Sequence, residues 1–169
     1  LTKQLLLLAS LDHQENLMHK TKFSLVEQLK KVMHYYQWKI NEKNIMLSYS
    51  LSNVYITGDQ ALLHSVWENL LTNAIKYNVE NGSIDLSVTD KEKYIEISFK
   101  DSGIGMPEEI TERIFERFFR EDTSRTGTVE GSGLGLSIVA AIVKLHGGWI
   151  EVDSEKGVGS NFKVLLRKN

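Results

Sequence analysis

The chain contains no cysteine, which excludes disulfide frameworks and thiolate metal sites and is compatible with an intracellular location. Proline occurs once, at Pro107, and there is no internal repeat or low-complexity tract. No apolar run approaches the roughly 20 residues that span a bilayer, and no signal-peptide pattern opens the chain. Neither sign of charge dominates: 20 Lys and Arg face 22 Asp and Glu, for a net charge of -2. That balance gives no electrostatic case for nucleic acid or for an anionic membrane surface, so any polyanion must be held by a local site. No G-x-x-x-x-G-K-[ST] loop is present, no histidine cluster has metal spacing, and no Ser/His/Asp arrangement is evident. The first residue is Leu1 rather than Met, which suggests a piece of a longer protein whose membrane anchor, if any, lies elsewhere.

What is present is ordinary globular sequence. Hydrophobic residues make up 41% and charged residues 25% of 169 residues, enough to bury a core without metal or disulfides and to form one domain with an appendage. Leu1, Leu5, Leu8 and Leu11 recur at spacings of three and four, which predicts a helix over residues 1–20. That helix either packs on its own domain or ends a helix that pairs chains. Ser24 and Glu27 form an S-x-x-E capping box ahead of an apolar stripe of Leu25, Val26, Leu29, Val32, Met33 and Tyr36. Residues 45–57 read as two short strands, and Asp59 as the N-cap of a long helix to about residue 78. Ile84–Thr89 and Tyr94–Lys100 alternate with period two about a polar turn, which predicts a hairpin. Pro107 opens a helix expected to reach Arg120. Residues 121–132 are polar and rich in Thr, Ser and Gly, as in a mobile loop. A helix from about Leu134 to His146 should stop at Gly147-Gly148, with strands at Trp149–Ser154 and Asn161–Leu166 to follow. Hairpins mixed with helices, without steady βαβ alternation, predict an α+β fold: a two-layer sandwich with helices on one face of a mixed, mostly antiparallel sheet.

Three stretches carry chemistry. The helix over 59–78 has a core face of Leu62, Leu63, Val66, Leu70 and Ala74. A second stripe of Asn69, Asn73, Lys76 and Tyr77, at i, i+4, i+7 and i+8, shares one side. A solvated polar face is the ordinary reading of such a stripe. Against it, solvent faces favour Glu, Lys and Arg over Asn, and Asn oxygen is a hard neutral ligand suited to Mg²⁺. Asp101-Ser102-Gly103-Ile104-Gly105-Met106 follows a strand. It reads equally as a glycine turn with a capping Asp, or as a carboxylate that accepts an exocyclic amine while the glycines let backbone lie on a flat ligand. Gly131-Ser132-Gly133-Leu134-Gly135-Leu136 opens a helix. Its spacing is G-x-G-x-G, not the dinucleotide-binding G-x-G-x-x-G, and it is either a common glycine turn or a phosphate cradle at a helix N-terminus.

Together and in this order the three stretches resemble the histidine kinase branch of the ATPase superfamily shared with the Hsp90, gyrase and MutL families. Asn69–Tyr77 is similar to its N box, Asp101–Met106 to its G1 box and Gly131–Leu136 to its G2 box. Arg113-Ile114-Phe115-Glu116-Arg117-Phe118-Phe119-Arg120 is similar to the F box of the kinase branch. His146-Gly147-Gly148 and Gly157–Phe162 match the closing pattern, and residues 1–20 resemble the end of the dimerisation hairpin, with the ATP-binding domain over 21–169. The resemblance implies a Bergerat-type fold that binds Mg²⁺-ATP. It implies that Asn73 coordinates Mg²⁺, Asn69 supports the phosphate–metal site, Lys76 contacts phosphate and Tyr77 lies against the nucleotide. It further implies that Asp101 accepts the adenine amine, Gly103 and Gly105 make room for the base, and Gly131, Gly133 and Gly135, with backbone at Leu134 and Leu136, hold the phosphates. Residues 121–132 would be the lid. Arg117 and Arg120 read equally as phosphate contacts or solvated charges, and Phe115, Phe118 and Phe119 as core or as lid anchors.

The implied activity is donation of the ATP γ-phosphoryl to a histidine on a separate dimerisation domain, for onward transfer to an aspartate of a response regulator. The implied setting is the cytoplasmic part of a membrane-anchored homodimer. The acceptor pattern, His-Glu with Pro four residues beyond the His, is missing around His13, His19, His34, His64 and His146. An ATPase of the same superfamily is the rival: it would carry a water-activating Glu where Asn69 stands, and Glu68 lies next to that position. An inactive interaction module and an anti-sigma serine kinase share the fold but fit the motifs less well.

Overall fold

The computed structural model describes Leu6, Ala9, residues 18–116 and residues 135–168. Leu6 and Ala9 are helical, but the chain is no longer helical at Met18, and strand β1 spans Lys20–Ser24. Helix α1 covers Leu25–Tyr35 and α2 Gln37–Glu42; β2 is Met46–Leu51 and β3 Tyr55–Asp59. Helix α3, Gln60–Lys76, precedes the hairpin of β4, Ser83–Asp90, and β5, Tyr94–Asp101. A short α4, Glu108–Thr111, and α5, Gly135–Leu145, lead to the closing hairpin of β6, Trp149–Glu155, and β7, Gly159–Arg167.

The main sheet has the order β2-β4-β5-β7-β6. Only β2 and β4 pair in parallel, because their connection crosses over through β3 and α3. The alternation read from sequence sets the register: Leu86 faces Phe99, Phe99 faces Phe162, and Phe162 faces Val152. One apolar face is thereby completed across four strands, and α1, α3 and α5 cover it. This is the expected two-layer sandwich. β1 and β3 form a separate antiparallel ribbon.

Ser24 caps α1 as the capping box predicts: its extended backbone turns the chain, and Oγ accepts from the Glu27 amide at 3.2 Å. Asp59 does the same for α3 through Leu62 N at 3.1 Å. Helix α3 is buried more widely than its predicted face. Leu63, Val66, Leu70 and Ala74 are joined by Trp67, Leu71 and Ile75, while Leu62 is only half-buried. The reason is that α3 lies between α1 and α5 as well as against the sheet, so no narrow stripe describes it. α5 ends as its glycines predict, with Gly147 at φ 73° and Gly148 N donating to Val143 O at 3.0 Å.

The helix expected from Pro107 to Arg120 is corrected. It ends at Thr111, and turns of the i→i-3 kind carry the chain to Glu116, with Arg113 N on Ile110 O and Glu116 N on Arg113 O. The apolar positions explain the change: half-buried Ile110, Ile114 and Phe115 pack on the core, and the Phe115 ring stands edge-on to Phe162 at 6.3 Å. Phe115 is therefore a packing residue. Residues Arg117–Arg120, the lid expected over 121–132 and the glycines Gly131 and Gly133 lie outside the described residues, as do Leu1, Leu5, Leu8 and Leu11.

Two polar side chains, buried Gln28 and half-buried His146, brace this core. Gln28 on α1 accepts from the Trp67 indole at 2.7 Å and donates to Gln60 O at 2.8 Å. His146 accepts from the Asp59 amide on Nε2 at 3.0 Å and faces the Ile142 carbonyl with Nδ1 at 2.8 Å. Both contacts fit the neutral ring with its proton on Nδ1. Burial holds its pKa below the ordinary 6.5, against the raising influence of the Ile142 carbonyl and the Asp59 carboxylate.

Replacing Gln28 with Leu leaves the Trp67 N–H buried without its acceptor, and urea unfolding should show a loss of roughly 1–3 kcal/mol. An unchanged midpoint would mean that the contact is dispensable. For His146, the unfolded state binds the proton more readily, so stability should rise with pH up to about 6.5 and level off above it. Melting temperature followed from pH 5.5 to 7.5 should climb less steeply in His146→Gln than in the parent.

Candidate nucleotide site

The polar stripe of α3 lies on its own face, as its spacing predicts. Asn69 donates through Nδ2 to Ser65 O at 2.7 Å, which fixes the carboxamide with Oδ1 turned toward α5. A Cβ added at Gly135 would come within 2.8 Å of that Oδ1. Gly135, the first described residue of α5, therefore touches the Asn69 side chain, and a side chain at position 135 would press on it. Asn73 follows one turn later, half-buried. Lys76 reaches back over the Tyr77 ring, its Nζ 5.9 Å from the centroid, and Tyr77 is partly exposed.

Asp101 ends β5 with its side chain buried to 9% exposure. Its Oδ1 accepts from Gly103 N at 2.8 Å and from Ser160 N at 3.3 Å. Burial pushes the carboxyl pKa up, and the two amides pull it back. Both donors fall on Oδ1, which leaves Oδ2 as the acceptor for another group. Gly103 lies against the Tyr77 carbonyl, where a Cβ would collide, and Gly105 has φ 64°, a conformation that favours glycine. The carbonyl at the end of α3 and the loop after β5 meet here: Ile104 N donates to Tyr77 O at 3.0 Å.

Other residues hold this loop in ways the sequence did not signal. Gly157 N donates to Ile104 O at 2.7 Å, and Met106 N to Ser154 Oγ at 2.8 Å. Ser154 Oγ also lies 2.8 Å from Ser160 Oγ. The turn between β6 and β7 thus clasps the Asp101 loop from behind. Asn78, buried just past α3, donates to Ser83 O at 3.0 Å and accepts from Ser102 Oγ at 3.3 Å.

Glu68 points elsewhere. Its Oε2 accepts from the Tyr36 hydroxyl at 3.0 Å. Burial and this carboxylate together push the Tyr36 pKa up to about 12. Among the described residues no group of three or more His, Asp or Glu side chains could hold a metal. A cation here would be held by the Asn carboxamides and by oxygens of a ligand, a donor set that fits Mg²⁺.

The face of α3 thus meets the start of α5 at Asn69 and the Asp101 loop at its far end, Tyr77. A family profile described as "Histidine kinase-, DNA gyrase B-, and HSP90-like ATPase" matches residues 58–169. The chain belongs to this ATPase family. Relatives include the heme sensor protein HssS of Staphylococcus saprophyticus, 37% identical over 168 residues, 99% of this chain and 36% of the relative. The sensor histidine kinase WalK of Bacillus subtilis is 40% identical over 116 residues, 68% of this chain and 19% of that protein. The chain spans about a third of the length of the HssS relatives it matches. Among solved structures, the catalytic domain of histidine kinase ThkA in a nucleotide-free form superimposes with a TM-score of 0.79 at 32% identity. That likeness covers 89% of this chain and 99% of ThkA's domain. ThkA in complex with the response regulator TrrA gives 0.77 at 29% identity over 99% of this chain and 49% of that one. The Bergerat-type sandwich of this ATPase family is the fold the sequence implied.

Asp101→Asn keeps an Oδ1 for Gly103 and Ser160 while removing the cost of a buried charge. Its melting temperature at pH 7 should equal or exceed the parent's. The gap should close in acid, where the parent carboxyl is protonated too. A clearly lower value at pH 7 would mean that Oδ2 stabilises the free chain.

Proposed function

We propose that the chain is the catalytic, Mg²⁺-ATP-binding domain of a sensor histidine kinase. In the intact protein it would donate the γ-phosphoryl to a histidine on a dimerisation hairpin, and the phosphate would pass to an aspartate of a response regulator. The observation that carries the reading is the contact between Asn69 on α3 and Gly135 at the start of α5, with the buried Asp101 loop joined to the other end of the same helix face at Tyr77. It brings a neutral metal-ligand face and a helix N-terminus together, which suits a nucleotide's phosphates. The family and the sensor kinases among its relatives support it.

In this reading Asn73 holds Mg²⁺ with support from Asn69, and the ion supplies neutralisation of phosphate charge. Lys76 contacts phosphate, Tyr77 lies along the nucleotide, and Asp101 Oδ2 accepts the adenine amine over Gly103 and Gly105. Gly131, Gly133, Leu134, Gly135 and Leu136 supply the phosphate cradle. Phosphoryl transfer asks for positioning and charge neutralisation more than for covalent chemistry, and these residues supply both. The rival hydrolytic reading needs a free carboxylate at the start of the stripe. Asn69 stands there, and the adjacent Glu68 is engaged by Tyr36. The partners would be the protein's own dimerisation domain, in a homodimer, and a response regulator. The setting would be cytoplasmic, in a membrane-anchored protein; among the described residues no helix is long and apolar enough to cross a membrane.

The test is nucleotide titration with and without Mg²⁺, then transfer from γ-labelled ATP to an acceptor hairpin supplied in trans. Mg²⁺-dependent ATP binding is expected. Asn73→Ala should weaken it or abolish transfer with the fold intact, and Asp101→Asn should narrow the preference for ATP over GTP. The chain alone should stay unlabelled, because its five histidines lack the acceptor context. Added hairpin should gain an acid-labile, base-stable label. Equal affinity of the parent for ATP and GTP, or no change in Asn73→Ala, would refute the reading.

A further inference from the structure

We infer that Lys43 is a positioning residue for the nucleotide site, the ammonium that fixes the end of α3 against the Asp101 loop. This rests on the nucleotide reading above.

Lys43 follows α2 and is half-buried. Its Nζ lies 2.8 Å from Ile75 O, 2.8 Å from Lys76 O and 3.4 Å from Asn78 O. An ammonium has three hydrogens, and here three backbone carbonyls of one turn surround it. The last carbonyls of a helix lack intrahelical partners, and a cation is favoured at that end. The segment is tied a second time by main chain: Asn81 N donates to Lys43 O at 2.9 Å, and Met46 N to Gly82 O at 2.9 Å.

The way α3 stops shows why an outside cation is needed. α5 ends on Gly147 in the left-handed conformation, and its glycine N–H groups satisfy the terminal carbonyls. α3 ends on Tyr77 at φ -94° and ψ 8°, with side chains at the very positions where a terminator glycine would stand. Those side chains have work to do: Lys76 and Tyr77 face the site, and Asn78 bridges Ser83 and Ser102. A glycine terminator is thereby excluded; Lys43 satisfies the Lys76 carbonyl from another element and adds a second donor to Ile75 O, which already accepts from Asn78 N at 3.2 Å.

What the ammonium fixes is more than a helix end. The Tyr77 carbonyl, between the carbonyls bound by Lys43, receives the Ile104 amide at 3.0 Å and sits against Gly103. The distance between the Asn69–Lys76 face and the Asp101 carboxyl is set through this turn. Lys43 touches no part of the nucleotide in this account; it acts through residues 75–78.

The test compares the parent chain with Lys43→Met, which keeps the stem without the charge, and Lys43→Arg, which keeps the charge. Dissociation constants for ADP and for a non-hydrolysable ATP analogue are measured with Mg²⁺, well below every variant's melting temperature. Lys43→Met should weaken both nucleotides by a similar factor, roughly tenfold, because the turn serves both, and Lys43→Arg should recover most of the loss. Should Lys43→Met fail to fold, Lys43→Gln, with two donors and no charge, takes its place. A variant that melts lower yet binds both nucleotides like the parent would make Lys43 a structural cap only and overturn the inference. A parent that binds neither nucleotide would instead remove the nucleotide reading, and the role of Lys43 with it.

Discussion

The hydrogen bond from the Ile104 amide to the Tyr77 carbonyl joins the end of α3 to the loop after β5, and the candidate site depends on that joint. Helix and loop belong to different layers of the sandwich. Nothing in the periodicity of either would set their separation. The joint is held from three sides: by Lys43 on the helix carbonyls, by Asn78 between Ser83 and Ser102, and by the Gly157 amide on the Ile104 carbonyl. Gly103 can lie against Tyr77 because it has no Cβ to collide with the carbonyl. Close approach of two backbones, each with its polar groups satisfied, lets a helix face and a strand end act as one surface.

Much of this was legible in sequence, for reasons that differ by element. The hairpin of β4 and β5 followed from strict alternation, and α1 from its cap and stripe. The stripe of Asn69, Asn73, Lys76 and Tyr77 stood out because a helix folds i, i+4 and i+7 onto one side, and because Asn is an unusual filler there. Asp101 stood out as an acid at a strand end before two glycines. β1 was missed because Lys-Thr-Lys-Phe offers one apolar residue to alternate with, and only Phe23 is buried. α2 was missed because its six residues bury only Ile40. The helix after Pro107 was overdrawn because its apolar residues serve the sheet through Phe115 rather than a continuing helical stripe.

The contacts that hold the site were not legible at all. Lys43 bonds residues 32 to 35 positions away, and Met106 bonds Ser154 at a separation of 48. A lysine after a short helix and a serine in an edge strand carry no local mark of such a task. Composition and periodicity report what one element does. Backbone accounting across elements reports who satisfies the carbonyls at a helix end, and that needs the fold.

The electrostatics of the site follow from the same accounting. A chain of net charge -2 has no overall field to draw in a polyanion, so local groups must do it. The stripe of Asn69, Asn73, Lys76 and Tyr77 itself carries no carboxylate. Asn69 is a neutral amide where an acid would repel phosphate, and the Glu68 carboxylate beside it is engaged by Tyr36. The one carboxylate buried in the loop, Asp101, spends Oδ1 on two backbone amides. Its raised pKa reflects burial that an amine donor at Oδ2 would offset, since hydrogen bonding to the charged form favours it. The carboxylate is thus poorly solvated when the site is empty and best satisfied by a neutral group that donates. A base with an exocyclic amine meets that demand, whereas a carbonyl at the same place would set acceptor against acceptor. In the proposed reading, burial of Asp101, which costs the free chain some stability, is what would make the loop selective.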